Sequence, residues 1–400
     1  MAEQTVPLVS LTVDGKGSYG IGASAVPFSK DLYTYLRITD IKDDGTLNMQ
    51  DLKSVDDVKA KEYLLKPNDI VFARTGASTG RNYFYDGTDG VFVYAGFLIK
   101  FSIDEEKVNP KYIKYYCQSK QYKDWINSFN TGSTRGNINA QTLGKMPVPL
   151  IERKNQDVLV AVLSSIDEKI KQNNAINNNL EQQAQALFTA WFENFEPFGG
   201  VAPDSWKQVT LGDIAEIKTN SFNPQKNPDA QIEHYSIPAF DEKKYPVFES
   251  ASDIKSNKYI LTNNSVMASK LNPDTKRVWR PLCITDLAVS STEFIIFEPF
   301  NPIYKDYVYS IIDSIGFTDW MCSHTTGSTN SRQRTTPGTT LNYLIWLPDQ
   351  DAIDNFLSTV TPMYDLIAHN LSQNQELISL RDSLLPKLMS GELDVSNIDL

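Results

Sequence analysis

This chain is poor in the residues that usually announce chemistry. Its 400 residues include three cysteines and three histidines. Cys117, Cys283 and Cys322 are isolated and odd in number, so a disulfide framework is not expected and a reducing cytoplasm fits. His234, His324 and His369 are too far apart in sequence to suggest a metal cluster or a triad. The sequence contains no HExxH, CxxC or GxSxG string and no GxxxxGK phosphate loop, so hydrolytic, metal and ATPase chemistry are not expected of this chain. The Gly15–Gly20 string GKGSYG matches GxGxxG in form, but Pro27 follows closely and no amphipathic helix opens behind it. Apolar residues make up 41% of the chain, yet no run reaches the roughly 18 to 20 residues of a membrane span. The opening MAEQTVPLVSLTVDG has no basic segment followed by an apolar block, so no signal peptide is expected.

What the chain does have is repetition. TGSTRGNIN begins at Thr131 and TGSTNSRQR at Thr326, 195 positions apart. The strand-like runs DIVFAR from Asp69 and NSVMAS from Asn264 share that offset. Short β-like runs, a helical segment near 110–127 or 303–317, the TGST loop and an apolar exit strand recur in the same order. Each half then ends in a long helical stretch with heptad stepping. The first seam reads Leu159, Leu163, Ile166, Ile170, Asn173, Asn177, Leu180, Ala184, Leu187 and Trp191. The second reads Ile353, Leu357, Val360, Tyr364, Ile367, Leu371, Asn374, Ile378, Arg381 and Leu385. Two such seams can bury each other antiparallel, with the asparagines fixing register. Pro362 implies either a kink or the start of a fresh helix, and the unbroken heptad phase favours the kink. Pro386 is expected to end or bend the second helix.

The fold class expected is therefore α+β: two similar mixed α/β domains separated by an antiparallel two-helix coiled coil, in a pseudo-twofold internal repeat. The expected boundaries are 1–152 for the first recognition domain, 153–197 for the first spacer helix, 198–348 for the second domain, 349–391 for the second helix and 392–400 for a tail.

The net charge of −11 is concentrated away from the modules, since residues 350–400 alone carry −6 and residues 1–150 carry +1. From Lys107 to Lys145 seven basic residues face one acid, and from Lys255 to Arg280 six face one. Local patches, not the total, decide attraction to phosphate. Loops rich in Thr, Ser, Asn and Arg occur at matching places in both halves. In the first they offer Arg74, Thr75, Ser78, Thr79, Arg81, Thr131, Ser133, Thr134, Arg135, Asn137 and Asn139. In the second they offer Lys270, Lys276, Arg277, Arg280, Thr326, Ser328, Thr329, Asn330, Arg332, Gln333 and Arg334. Hydroxyls and backbone amides suit phosphate oxygens, while Arg, Asn and Gln suit base edges, so these are the expected DNA-binding residues. Surface turns favour the same residue types; recurrence in both halves tips the reading toward function. A protein-binding scaffold with two repeated modules on a spacer is the alternative, supported by the acidic total charge.

Three segments carry a family resemblance: PNDIVFARTGASTGR at 67–81, ALFTAWFENFEPF at 186–198 and LLPKLMSGELDVS at 384–396. With them the chain resembles the specificity subunit of a type I restriction-modification enzyme. SWKQVTLGDIAEIKTN from Ser205 is a familiar domain opening in that family, whereas the first half lacks the Trp and the second has ASKL in place of ARTG. The resemblance implies a non-catalytic, cytoplasmic subunit that reads a bipartite duplex DNA target. It implies two methyltransferase subunits and restriction-translocase subunits as partners. S-adenosylmethionine, ATP and magnesium would then sit on those partners, with no cofactor in this chain.

Overall fold

The computed structural model describes residues 4–49, 51–129, 137–326, 333–390 and 392–393. The chain divides into two compact units, residues 1–168 with 377–400, and residues 169–376. Both are mixed α/β.

In the first unit, Gln4–Pro7 pairs antiparallel with Pro147–Leu150. A four-stranded antiparallel sheet runs in the order Ser18–Tyr19, Leu98–Ser102, Asp69–Ala73, Asn82–Tyr85. A second sheet runs Ala25–Pro27, Lys53–Val55, Tyr33–Leu36, Phe92–Tyr94, with its last pair parallel. The strand Asp69–Ala73 explains the layering. Its side chains alternate between faces, and every residue is buried. Ile70 and Phe72 enter a core with Phe101, Tyr112, Tyr116 and Tyr122. Val71 and Ala73 enter another with Tyr83, Tyr85 and Phe92.

The second unit repeats this plan. Lys207–Thr210 pairs with Leu344–Leu347. One sheet runs Ala215–Lys218, Phe294–Pro299, Val266–Ser269, Val278–Trp279. The other has five strands and again one parallel pair, Gln231–Tyr235 with Ala288–Ser291. Val266 and Ala268 face one core and Met267 another.

The helical segment expected near 110–127 is two helices, Pro110–Tyr116 and Lys120–Asn127. Its counterpart is likewise Lys305–Ile312 and Ile315–Ser323, preceded by a short 3-10 turn. The break has the same cause in both. Ser119 and Ser314 each accept a hydrogen bond from a backbone amide three residues on, restarting the helix as its N-cap. Tyr112 donates its hydroxyl to the Pro149 carbonyl at 2.5 Å, and Tyr307 donates likewise to Trp346, tying each helix to the exit strand.

Gly17 and Gly20 of GKGSYG serve close packing. No helix follows them; the next element is the strand Ala25–Pro27. A Cβ at Gly20 would lie 2.2 Å from the Ala95 carbonyl oxygen.

Two long helices are present, Arg153–Phe188 and Gln350–Ser390. The first passes into a π-type turn at Thr189–Glu193. Every seam position named above is buried or half-buried. The asparagine-rich stretch 173–179 is helical, as the seam expects. Asn173 Nδ2 donates to Asn374 Oδ1 at 2.9 Å, and Asn370 Nδ2 donates to Asn177 Oδ1 at 2.8 Å. As the number rises from 173 to 177 on one helix, its partner falls from 374 to 370, so the helices run antiparallel there. Asn370, absent from the expected seam, is its fourth asparagine. The second helix is continuous through Pro362 and Pro386, so neither proline ends it and no fresh helix begins at 362. Ser358 and Asp382, whose carbonyls lose their amide donors to these prolines, are exposed to water.

Candidate nucleic-acid interface

In the first unit the chain leaves strand Asp69–Ala73 at Arg74. The Arg74 amide donates to the Phe97 carbonyl at 3.0 Å, the Ile138 amide donates to the Arg74 carbonyl at 2.9 Å, and Thr75 bridges Asn137. Two separated loops are thereby locked to one sheet end. On that platform Arg74 Nη2 donates to Asn137 Oδ1 at 3.3 Å, and the guanidinium lies 5.0 Å from the centre of the Tyr19 ring. Arg74 Nε is buried and lacks a partner among the described residues. Tyr19 and Phe97 are 42% and 61% exposed, which gives this rim an apolar, stackable surface beside a cation.

Structure brings Arg74, Thr75 and Asn137 together and gives Ser78, Thr79, Arg81 and Asn139 structural settings. Ser78 is buried. Thr79 donates its hydroxyl to the Gly76 carbonyl within the turn. Asn139 caps the short helix Ala140–Gly144. Arg81 grips Asp43 with two nitrogens at 2.6 and 3.1 Å. Gly80, at φ +90°, faces Ile126, which a Cβ would meet at 2.5 Å. Thr131, Ser133, Thr134 and Arg135 lie outside the described residues.

The second unit builds the same backbone platform. The Lys270 amide donates to the Glu293 carbonyl at 2.9 Å, the Thr335 amide donates to the Lys270 carbonyl at 3.0 Å, and Leu271 bridges Arg334. Lys270 thus stands where Arg74 stands, Arg334 where Asn137 does, and Glu293 where Phe97 does. Arg334 Nε and Nη2 donate to the two Glu293 carboxylate oxygens, both at 3.0 Å. Those hydrogen bonds hold the Glu293 carboxyl below its usual range despite partial burial, with the Arg334 and Lys270 charges adding to the effect.

The remaining cations of this unit are engaged more deeply. Lys276 Nζ is 2.8 Å from Asp313 Oδ1. Arg277 forks onto Asp241 at 2.6 and 2.9 Å, and its side chain is only 14% exposed. Arg280 is 16% exposed and clamped between Asp306 and Asp365. Its setting argues against the expected DNA contact, because freeing it would leave Asp306 buried and unpaired. Gln333 contributes its carbonyl to the Asn272 amide, and Thr326 Oγ1 donates to the Arg334 carbonyl. Ser328, Thr329, Asn330 and Arg332 lie outside the described residues. Tyr19, Phe97 and Glu293 were not among the expected site residues. Phe97 reads as part of a strand run and Glu293 as an ordinary turn acid; only the tertiary pairing places them at the rim. Among the described residues no group of His, Cys, Asp and Glu has the arrangement of a metal site, and no helix is long and apolar enough to cross a membrane.

Comparison with known proteins finds relatives of this chain. Residues 30–182 match the family described as type I restriction modification DNA specificity domain. The chain is 26% identical over 337 residues to the type I restriction enzyme MjaIX specificity subunit of Methanocaldococcus jannaschii, covering 74% of this chain and 72% of that one. It is 20% identical over 405 residues to the HindI specificity subunit of Haemophilus influenzae, covering 82% and 87%. Its fold is similar to that of a type I restriction-modification S subunit from M. genitalium, at TM-score 0.59 and 16% identity, covering 96% and 95% of the two chains. The repeated units, the paired long helices and these relatives agree: residues 30–182 match a type I restriction modification DNA specificity domain, and the chain is similar over most of its length to specificity subunits of type I restriction enzymes.

Proposed function

We propose that this chain is the non-catalytic DNA-reading subunit of a type I restriction-modification complex. Each unit reads one half of a bipartite duplex target through the rim built on Arg74 and Asn137, or on Lys270 and Arg334. The observation that carries this reading is one backbone platform made twice with different polar side chains. That is what two half-sites of different sequence require.

The recognition domains span 1–152 and 198–348 on this reading. The helices at 153–197 and 349–391 form an antiparallel coiled-coil spacer related by a pseudo-twofold, and 392–400 is a tail. The asparagine pairs support it. Asn173 and Asn177 occupy the seam places that Asn370 and Asn374 occupy in the second helix, and each pair joins non-equivalent members. A two-fold interface has that form. The spacer sets the distance between half-sites, and buried asparagines suit a device that must hold register. Two methyltransferase subunits and restriction-translocase subunits supply the chemistry, with S-adenosylmethionine, ATP and magnesium bound to them.

Long-read mapping of methylated adenines in DNA from cells making this chain with its methyltransferase tests the reading. The expected result is one motif of two short specific blocks and a non-specific gap. Removing one heptad from each helix at matched places shortens the spacer by about 10 Å. The gap should then shrink by roughly three base pairs with both blocks unchanged. Altered blocks with an unaltered gap would refute the ruler. Steep loss of affinity for random duplex with salt separates DNA reading from a protein scaffold.

A further inference from the structure

The second unit contains an exposed arginine held in a carboxylate fork, in a place where that fork is a poor choice for phosphate binding. Arg334 is 44% exposed and Glu293 30% exposed. Glu293 engages the Nε and Nη2 nitrogens, leaving the edge formed by Nη1 and the second Nη2 hydrogen facing away from it. The backbone beneath is pinned on both sides. The Asn272 amide donates to the Gln333 carbonyl at 2.9 Å, the Thr335 amide to Lys270 at 3.0 Å, and Thr326 Oγ1 to the Arg334 carbonyl at 3.2 Å. Thr335 is itself buried, and its hydroxyl donates to the Met321 carbonyl at 3.0 Å. A pinned backbone and a forked side chain leave the guanidinium little freedom to lose on binding.

Two uses of this arrangement can be separated. An exposed ion pair contributes little to stability, so holding the fold together is a weak reason for it. A phosphate contact would be weakened by an adjacent carboxylate. A base contact is strengthened, because discrimination depends on the guanidinium's aim. Guanine presents two acceptors, O6 and N7, which match two parallel N–H donors of arginine. Lys270 lies near enough to act electrostatically on Glu293, so the cluster of Arg334, Lys270 and Glu293 keeps a net positive charge against DNA.

We propose that Arg334, aimed by Glu293, reads a guanine in the half-site bound by the second unit, with Glu293 as its positioning residue. This rests on the DNA-reading function proposed above.

The test uses the full chain with its methyltransferase partner and maps methylated adenines for the parent, Arg334→Lys, Arg334→Ala and Glu293→Gln. The parent motif should carry a guanine in one block that both Arg334 variants cease to require. The preference there should drop roughly 5- to 150-fold, with the other block and the gap unchanged. Glu293→Gln should weaken the same position and no other. Arg334→Lys keeps the charge, so unaltered discrimination in it would overturn the guanine assignment. Uniform weakening at all sequences would overturn it in favour of a phosphate contact. Full discrimination in Glu293→Gln would remove the positioning role. A parent protein that yields no two-block motif would instead defeat the DNA-reading function itself. Thermal melting of each variant beside the parent separates misfolding from altered reading.

Discussion

At the rim the two units have the same backbone and opposite chemistry. The first presents a guanidinium on the strand exit, an amide on the facing loop and an exposed aromatic on the adjoining turn: Arg74, Asn137 and Phe97. The second presents an amine, a guanidinium and a carboxylate at the same three places: Lys270, Arg334 and Glu293. In both units the hydrogen bonds that fix these places are made by main-chain atoms, so they do not care which side chain is present. Rim positions held by the backbone can exchange their side chains without changing stability much, which suits the DNA reading proposed for them. The difference continues where the long helices pack. In the first unit Lys114 and Tyr115 meet Asp167, which also receives Arg381. At the corresponding place in the second unit Tyr309 and Ser310 meet Tyr364, through a ring contact of 4.9 Å and a hydroxyl pair at 2.9 Å. At this one place the first module meets its helix with charge and the second with aromatic surface.

The largest expected effect breaks that second contrast. Asp167→Asn should cost about 2–4 kcal/mol in urea unfolding, because half-buried Lys114 loses its counter-charge and half-buried Arg381 keeps only Asp382. Burial raises the Asp167 carboxyl, but Lys114, Tyr115 and Arg381 outweigh it and hold it below its ordinary value. The folded-state pKa is therefore depressed. The stabilisation is complete above the unfolded carboxylate value of about 4 and is lost as pH falls through the folded one. The gap between parent and Asp167→Asn should close in acid, while Tyr364→Phe should show a pH-independent deficit. A constant gap for Asp167→Asn would mean that its cost arises from packing.

A smaller effect sharpens the comparison at the rim. Asn137→Arg together with Phe97→Glu places the second unit's fork in the first. The first half-site should gain a guanine preference worth about 1–3 kcal/mol, read from the methylation motif. An unchanged motif would show that the platforms are not interchangeable. The smallest effect concerns what the units share. Tyr112→Phe and Tyr307→Phe each remove one hydroxyl bond to an exit-strand carbonyl. Each should cost about 0.5–1.5 kcal/mol, and nearly the same amount. Costs differing by more than that range would mean that the shared topology hides different packing.

Much of this architecture is legible before any coordinates. The strand Asp69–Ala73 and its counterpart are runs of apolar residues. The two seams declare helices by their period, and the matching asparagines imply fixed register. The helical segments differ from expectation for a local reason, whereas at Pro362 the expected continuation of the helix holds. The helical segments at 110–127 and 303–317 keep an apolar period across their breaks, so period alone joins what Ser119 and Ser314 divide. Pro362 and Pro386 break helices by propensity, yet the packing of Val360, Tyr364 and Leu385 carries the second helix through them.

The amino-acid sequence determined which elements form and that they form twice, because periodicity, turn residues and burial are properties of short stretches. It could not determine which cations remain available at the surface. Arg81, Arg277, Arg280 and Arg334 look alike in a string of letters, but their partners Asp43, Asp241, Asp306 and Glu293 lie 26 to 41 positions away. Whether a guanidinium is buried in a fork or held at a rim depends on which distant carboxylate the fold delivers to it, and Coulomb attraction acts across the few ångströms that only the tertiary structure sets.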